Sequence, residues 1–253
     1  RGFKSLGAID RIVYDNYEPL VALAAAAAVT ERIGLLTSVL LGPLRANGAA
    51  LAKQTLSLNA LSGGHFTLGI GLGGREDDYA AAGADMATRG DVMDELLDDI
   101  RRVWDDAEIG PDIGGRPGLL VGGGVRASYE RAARAGDGWI AGGSTPEQFA
   151  EAAAEVRRAW ADAGRDGEPR VAALAYFALG PDAEADAQRY LGDYYAFLGA
   201  ETAGYIVAGA AKDSATVQGY VSAFADAGCD ELVLFPSSSD PDQADLLADA
   251  AGL

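Results

Sequence analysis

Residues 61–71 have the sequence LSGGHFTLGIG, and this stretch decides the fold class. Its first part, Ser62-Gly63-Gly64, is typical of a helix end, because glycine is the usual helix terminator. Its second part, residues 65–71, is a short apolar run that predicts a buried strand. A helix that passes through a glycine turn into a buried strand is the repeating element of α/β proteins, so the stretch predicts that fold class.

The same alternation of strand and helix extends in both directions from this stretch. Further strands are predicted at residues 5–10, 33–41, 119–121, 138–141, 171–179 and 231–235. Helices are predicted at residues 16–30, 47–61, 126–135, 145–164, 183–198, 213–227 and 241–250, with another that Thr88 caps. Residues 72–85 and 199–212 are predicted to be irregular. Such alternation predicts parallel strands that are joined by helical crossovers.

Two architectures fit this pattern, an open doubly wound sheet and a closed eight-stranded barrel. A length of 253 residues is typical of a single barrel, and no change in composition marks a second domain, so we expect one domain over residues 1–253. Only seven strands are predicted, and residues 1–4 resemble the tail of a turn from a helix into a strand. We therefore expect the first strand and helix of a barrel to be missing from this chain.

The composition excludes several classes of function. A formal net charge of −18 would repel nucleic acids and anionic membranes. The longest apolar run, residues 20–29, is too short to span a bilayer, and no signal peptide is visible, so we expect a cytoplasmic protein. One histidine and one cysteine cannot form a typical zinc site or an internal disulfide, and Cys229 is predicted to be a buried, inert thiol.

Two glycine-rich loops follow neighbouring predicted strands and open helices. The first is Gly122-Gly123-Gly124, and the second, one strand later, is Gly142-Gly143-Ser144. Both loops could be simple tight turns. Backbone amides at a helix N-terminus also form an anion site, and glycine lets a phosphate approach the backbone closely. Because two adjacent loops share this pattern, the sequence favours a cofactor phosphate over simple turns.

Four segments in order resemble the bacterial luciferase-like flavin and deazaflavin oxidoreductases. They are residues 61–71, residues 32–40 (RIGLLTSVL), the segment Val121-Gly122-Gly123-Gly124 and residues 136–140 (GDGWI). The resemblance covers residues 1–165 most closely. It implies a (β/α)8 TIM barrel, a flavin or deazaflavin cofactor, a small-molecule substrate, and a homodimer formed through helices near the second and third strands.

The resemblance also implies where the cofactor lies. Ser38-Val39 matches a bulge with a non-prolyl cis peptide that supports the cofactor ring in that family. The deazaflavin-binding members hold the phosphate on the two glycine loops named above. Asp10 and Arg11 at one strand end, and Gly71 and Gly73 near another, are expected at the carboxyl-terminal mouth where barrels place their active sites.

Candidates for the chemistry itself are few. Asp10, Arg11 and Glu76 are the candidate catalytic residues. Asp77 and Tyr79 are further candidates for acid–base work, and Arg11, Arg45 and Arg75 for binding an anionic group. The alternative for the arginines is plain solvation, and the alternative for Glu76 and Asp77 is a surface run of acidic residues. Some deazaflavin-dependent sugar-phosphate dehydrogenases of this family use a histidine where this chain has Arg11, which argues against that activity.

The sequence therefore predicts an oxidoreductase whose cofactor carries the chemistry while the protein positions it. Coenzyme F-420, a deazaflavin, would make it a hydride-transfer enzyme, and FMN would make it an oxygen-using monooxygenase. The paired glycine loops favour the deazaflavin, as does a composition rich in alanine, glycine, aspartate and arginine, which suggests a GC-rich genome. A non-catalytic flavin-binding relative and a phosphate-binding isomerase or lyase are the alternatives.

Overall fold

A computed structural model describes residues 1–45, 47–106 and 108–253 of the chain. The strands are β1 (Ser5–Ala8), β2 (Gly34–Thr37), β3 (Leu40–Leu41), β4 (Phe66–Gly71), β5 (Gly118–Gly122), β6 (Gly138–Gly143), β7 (Arg170–Phe177) and β8 (Glu231–Pro236). The helices are α1 (Pro19–Ala27), α2 (Gly48–Leu61), α3 (Glu76–Ala82), α4 (Arg89–Trp104), α5 (Arg126–Ala135), α6 (Pro146–Asp162), α7 (Ala183–Tyr194), α8 (Ala200–Ala208), α9 (Ser214–Asp226) and α10 (Gln243–Ala251). None of the described helices is both long enough and apolar enough to cross a membrane.

The chain forms two compact units. The larger unit comprises Lys4–Ile140 and Glu155–Arg170, and the smaller unit comprises Arg1–Phe3, Ala141–Ala154 and Val171–Leu253. In the larger unit the strands pair in parallel in the order β1, β2, β4, β5 and the first half of β6, while β3 pairs with the end of β4. In the smaller unit, β7 and β8 pair in parallel over six residues. Parallel pairing throughout agrees with the predicted α/β class.

The turn from α2 into β4 confirms the prediction from residues 61–71. Asn47 caps α2, because its Oδ1 accepts a hydrogen bond of 2.9 Å from the Ala50 N–H. At the other end, Gly63 and Gly64 have φ angles of 66° and 89°, and these left-handed conformations end the helix. The Gly64 N–H donates to the carbonyl of Asn59, which fixes the direction of the chain into β4.

The core of the larger unit lies between α2, α4 and the strands. Consecutive residues such as Leu35 and Leu36 are both buried, so the strands are covered on both faces, as in parallel sheets. On α4 the apolar stripe that includes Leu97 and Ile100 is fully buried. Trp104 at the end of α4 donates from Nε1 to Thr55 Oγ1 on α2 at 3.1 Å, which fastens the two helices together.

In the smaller unit, each face of the β7–β8 pair has its own apolar cluster. Phe177 and Leu234 face α9 and α10, where they pack against residues such as Val217 and Leu247. Tyr176 belongs to the other cluster, with α7 and α8. Because side chains alternate along a strand, this division follows directly from the sequence of β7 and β8.

Four predictions about local structure were wrong. Residues 72–85 contain α3, a helix with a mostly charged and alanine sequence that lacks an apolar period. Residues 199–212 contain α8, whose internal glycine conceals its helical pattern. The single strand expected at residues 33–41 is divided into β2 and β3. Thr88 makes no side-chain capping bond to α4, because its hydroxyl donates back to the Asp85 carbonyl.

Candidate cofactor site

The break between β2 and β3 is a non-prolyl cis peptide bond between Ser38 and Val39. The resemblance implied this bond, and the structure confirms it. The Ser38 N–H donates to the Ala8 carbonyl at 2.8 Å, so the bulge stays attached to β1. The Ser38 side chain is only 4% exposed, and its hydroxyl makes no hydrogen bond to any described residue.

Val39 is enclosed by two of the predicted site glycines. A Cβ atom on Gly71 would lie 2.7 Å from Val39 Cγ2, and one on Gly122 would lie 3.1 Å from Val39 Cγ1. Both glycines are therefore needed to make room for the Val39 side chain. Gly73 has a φ of 72° and makes room for the Leu41 side chain in the same way, since a Cβ added to Gly73 would lie 2.8 Å from Leu41 Cδ2. The glycines hold the bulge in place.

Asp10 anchors the segment that follows the bulge. Its carboxylate is buried, and Oδ2 accepts hydrogen bonds from the Leu41 N–H at 2.8 Å and from Arg45 Nη2 at 2.5 Å. Arg45 also lies 3.4 Å from a carboxylate oxygen of Glu18. Asp10 and Arg45 thus bind each other, and together they position β3 and the turn after it.

Arg11 is bound to α3. Its buried guanidinium donates from Nε to Asp78 Oδ2 at 2.5 Å and from Nη2 to the Val13 carbonyl at 3.1 Å. The other oxygen of Asp78 accepts from the backbone N–H groups of Ile12 and Val13, each at 2.8 Å. This arrangement satisfies a buried charge pair with additional hydrogen bonds, and it fixes the loop after β1 against α3.

The remaining acid–base candidates lie at the start of α3 and differ in environment. Arg75 donates to both carboxylate oxygens of Asp77, and this hydrogen bonding holds the pKa of Asp77 below its ordinary value against the effect of desolvation. Tyr79 donates to the Leu72 carbonyl at 2.5 Å, and burial raises its pKa, so it remains protonated. Glu76 is exposed in the first turn of α3.

The loop Gly122-Gly123-Gly124 is held from both sides. Trp139 Nε1 donates to the Gly123 carbonyl at 2.7 Å. Ser128 Oγ accepts from the Val125 N–H at 3.2 Å, at the point where α5 begins. Gly123 has a φ of 136°, and a Cβ there would lie 2.7 Å from Ser128. A Cβ on Gly124 would meet no described atom within 4 Å, so the backbone there is open to a ligand.

The second glycine loop belongs to the smaller unit and is also open. An added Cβ at Gly142 or Gly143 would meet no atom within 4 Å in the described part of the chain. Ser144 Oγ is a buried atom that makes no hydrogen bond to the described residues. The α6 helix then starts with reciprocal hydrogen bonds between Thr145 and Gln148, which cap its first turn.

Sequence reasoning missed a group of polar aromatic residues in the smaller unit. Tyr176 on β7 and Tyr195 after α7 share a hydrogen bond of 2.6 Å between their hydroxyl groups. Burial raises the pKa of Tyr176 well above its ordinary value, so its hydroxyl is uncharged at neutral pH. The spacing of tyrosine and phenylalanine in residues 190–197 (YLGDYYAF) was the available signal.

Comparison with known sequences identifies relatives among bacterial proteins. An uncharacterized protein of Mycobacterium tuberculosis is 33% identical over 178 residues, which cover 62% of this chain and 61% of that protein. A second M. tuberculosis protein, also uncharacterized, is 35% identical over 162 residues, or 58% of this chain and 56% of that one. The matched segments span less than two thirds of the length of these relatives.

Solved structures resemble the chain over nearly its whole length. An F-420-dependent secondary alcohol dehydrogenase in complex with an F-420–acetone adduct has a TM-score of 0.83 at 18% identity, covering 99% of this chain and 91% of that one. The coenzyme F-420-dependent tetrahydromethanopterin reductase from Methanopyrus kandleri has a TM-score of 0.71 at 17% identity, covering 98% and 89%. The oxygenating constituent of 3,6-diketocamphane monooxygenase from Pseudomonas putida, in complex with FMN, has a TM-score of 0.72 at 17% identity, covering 97% and 86%.

These similarities confirm the predicted fold class, a TIM barrel. The sequence of residues 1–244 also matches the profile of one family, described as luciferase-like monooxygenase. Because the match covers almost the entire chain, the chain belongs to the luciferase-like monooxygenase family.

Proposed function

We propose that the protein is an oxidoreductase that transfers a hydride between coenzyme F-420 and a small organic substrate. The observation that carries the proposal is the enclosure of Val39 between Gly71 and Gly122. A planar ring cofactor needs a surface that does not yield when the ring binds. Val39 provides such a surface, because its side chain is packed on both sides at distances that leave no room for a Cβ.

The residues present also fit such a cofactor. The buried Ser38 hydroxyl lacks a hydrogen-bond partner among the described residues, although buried polar groups normally have one. A bound ring with polar edges would supply that hydrogen bond. The open backbone at Gly124, just before α5, suits a phosphate group, since helix N-termini bind anions. We also predict that the open loop formed by Gly142, Gly143 and Ser144 is a second element that binds the phosphate.

Bound coenzyme F-420 would supply the hydride, and the protein would supply position and proton transfer. Asp10 and Arg11 are held by Arg45 and Asp78, respectively, so we assign them to positioning. A carbonyl substrate that accepts a hydride also takes up one proton to become an alcohol. Glu76 is the candidate that is not held by a described ion pair, and we assign proton transfer to it.

The deazaflavin is proposed over FMN on the paired glycine loops, and the solved structures include enzymes of both kinds. The structure with a TM-score of 0.83 is an F-420 complex, but the second F-420-dependent structure scores 0.71 and the FMN complex 0.72, so the scores represent both cofactors. At 17–18% identity these values are evidence of fold, so the choice of cofactor is part of the proposal. An FMN-dependent monooxygenase is the second candidate, favoured by the description of the family.

Equilibrium binding of coenzyme F-420 and of FMN to the purified protein, followed by fluorescence, tests the proposal. We expect F-420 to bind at least tenfold more tightly than FMN. The opposite preference would make the protein an oxygen-using monooxygenase. If F-420 binds but no panel of alcohols or carbonyls is turned over, the protein is a non-catalytic flavin-binding relative, and if neither cofactor binds, the oxidoreductase proposal fails.

We also propose that the protein is a homodimer that uses α1. Val21 on this helix is 67% exposed, and Tyr17 before the helix and Val29 beyond its end are 86% and 83% exposed. Exposed apolar patches of this kind mark protein interfaces. Sedimentation velocity should show a dimer, and Val21→Glu should convert it to a monomer with unchanged cofactor affinity; a monomeric native protein would contradict the proposal.

A further inference from the structure

Six aromatic side chains of the smaller unit form one connected cluster, which we call the aromatic face. Its members are Tyr176, Tyr190, Tyr194, Tyr195, Phe197 and Phe235. Tyr176 lies at the centre, with its ring 5.9 Å from Tyr195 and 6.4 Å from Phe235 between centroids. Tyr195 in turn lies 5.0 Å from Tyr194 and 6.4 Å from Phe197, so the face extends from a buried ring to a half-exposed one.

The aromatic face lies at the end of the strands where barrel enzymes act. Tyr176 and Phe235 are register partners, and each is the second-last residue of its strand. The carboxyl ends of parallel strands in barrels carry the residues that bind substrate. The helices α7 and α8, which follow β7, pack on this same face. The position therefore suits the recognition of a small molecule.

Ser237 adds one polar group to the aromatic face. Its N–H donates to the Phe177 carbonyl at 2.7 Å, which continues the pairing of β8 with β7 for one more residue. Because side chains alternate along a strand, Ser237 falls on the same face as Phe235. The residue is 3% exposed, yet its hydroxyl makes no hydrogen bond to any residue that the structure describes. A buried hydroxyl of this kind is completed by a ligand or a bound water.

The aromatic face carries no formal charge. All six members are aromatic, and the hydroxyl groups of Tyr176 and Tyr195 bind each other. Two charge pairs lie on the adjoining elements: Lys212 lies 2.9 Å from Glu184, and Arg189 binds Asp186. An aromatic surface that adjoins a buried hydroxyl without a partner among the described residues suits a neutral ring that has a hydrogen-bonding oxygen.

We propose that the aromatic face binds the substrate, and that the Ser237 hydroxyl forms a hydrogen bond with the oxygen of a neutral, ring-bearing carbonyl compound or alcohol. This inference rests on the proposed function, because it names the substrate class of that oxidoreductase. It assigns specificity to the segment from β7 to β8, and it assigns a polar contact to a serine that the sequence did not single out.

The test uses three probes with the same ring. Acetophenone has a neutral carbonyl, ethylbenzene lacks the oxygen, and benzoate carries a charge. Saturation-transfer NMR and calorimetry on the full chain, with the bound cofactor established beforehand, should show acetophenone binding at least tenfold more tightly than either of the others. Equal binding of benzoate, or no binding of acetophenone while the cofactor binds normally, would overturn the inference and leave the proposed function intact.

Two serine variants localise the contact. Ser237→Ala should weaken acetophenone binding about tenfold, because it removes one hydrogen bond from a buried site. It should leave ethylbenzene binding and cofactor affinity unchanged. Ser239→Ala, at an exposed serine two residues later, is the matched control and should change neither. Equal acetophenone affinity in the native protein and Ser237→Ala would overturn the inference.

Stability of the free protein provides a second readout. Since the Ser237 hydroxyl has no partner in the described residues, Ser237→Ala should unfold at the same or a higher denaturant concentration than the native protein. A clear loss of stability would mean that the hydroxyl serves the fold, and it would overturn the assignment to substrate. Failure of both cofactors to bind would instead refute the proposed function, and with it this inference.

Discussion

Arg11 and Asp78 form a buried ion pair across 67 positions of sequence, with Arg11 Nε at 2.5 Å from Asp78 Oδ2. Asp78 also accepts hydrogen bonds from the backbone N–H groups of Ile12 and Val13, so the pair joins the loop after β1 to α3. Removal of one partner leaves the other charge buried without full compensation. The pair therefore contributes to the local order on which the candidate site depends.

Arg11→Met should lower the free energy of unfolding by about 3 kcal/mol, because Asp78 would keep its buried charge without the guanidinium. The same substitution at Arg102, which forms an exposed pair with Asp99, should change it by less than about 0.5 kcal/mol. Urea denaturation of the three proteins gives the comparison. Equal effects at the two positions would show that the Arg11 pair contributes no more than a surface pair.

Gly71→Ala should disturb the site through Val39. The added Cβ would lie 2.7 Å from Val39 Cγ2, which forces a shift that costs about 1–3 kcal/mol and displaces the surface proposed for the cofactor ring. Cofactor affinity should therefore fall at least tenfold. Gly74→Ala is the control, because a Cβ there meets no atom of the described residues within 4 Å.

The double variant Gly71→Ala/Val39→Ala distinguishes the proposed cause from a general effect of alanine at position 71. With the γ-carbons of Val39 removed, the nearest obstacle to the new Cβ is gone. Stability should recover relative to Gly71→Ala alone, while cofactor affinity should stay low because the supporting side chain is smaller. A double variant no more stable than the single one would argue against Val39 as the obstacle.

The sequence predicted most of the architecture because the apolar periods of the strands and the glycine helix ends are local signals. The Ser62-Gly63-Gly64 turn and the strand after it are examples. Helix α3 gave no such signal, since only Asp78 and Tyr79 of its seven residues are buried.

Partners that are distant in sequence could not be predicted in the same way. Asp10 with Arg45, and Arg11 with Asp78, meet only after the chain has folded. The sequence therefore placed Asp10 and Arg11 near the mouth of a barrel but could not show that both are held by ion pairs. The cis peptide at Ser38-Val39 was expected only from resemblance, because no local pattern of residues specifies one.

Cys229 should be unreactive in the native protein at neutral pH. Burial raises the pKa of its thiol to about 11, and the thiol donates to the Glu231 carbonyl at 3.1 Å. The thiolate, which is the reactive form, is therefore scarce below that pH. Because the folded-state pKa is raised, this group contributes stability that is present below the unfolded pKa of roughly 8.5–9 and is lost as the pH rises through about 11.

Alkylation by iodoacetamide measures this directly. At pH 8 the native protein should react at least tenfold more slowly than the same protein in urea, where the thiol has its ordinary pKa. The rate in the native protein should rise between pH 9 and pH 11, roughly as the thiolate forms. Cys229 is half-buried rather than fully buried as the sequence predicted, and rapid alkylation at pH 7 would show that its thiol is ionised, contrary to its raised pKa.

Gly124→Asp should weaken binding of a phosphate-bearing cofactor. The position is exposed, an added side chain meets no described atom within 4 Å, and α5 begins two residues later. A carboxylate near a helix N-terminus is favourable for the fold itself, so the variant should be as stable as the native protein. The same carboxylate would occupy the space proposed for the cofactor phosphate and would repel its negative charge. Affinity for coenzyme F-420 should therefore fall at least tenfold.

Gly124→Asn is the matched control for this loop, because its side chain has the same size without the charge. It should lower affinity less than the aspartate variant does, and the difference should shrink at high salt, since screening weakens repulsion between exposed charges. Fluorescence titration of both variants at two salt concentrations supplies the four dissociation constants that this comparison needs. If aspartate and asparagine reduce affinity equally, the loop excludes the cofactor by size alone, and the phosphate must be held elsewhere in the chain.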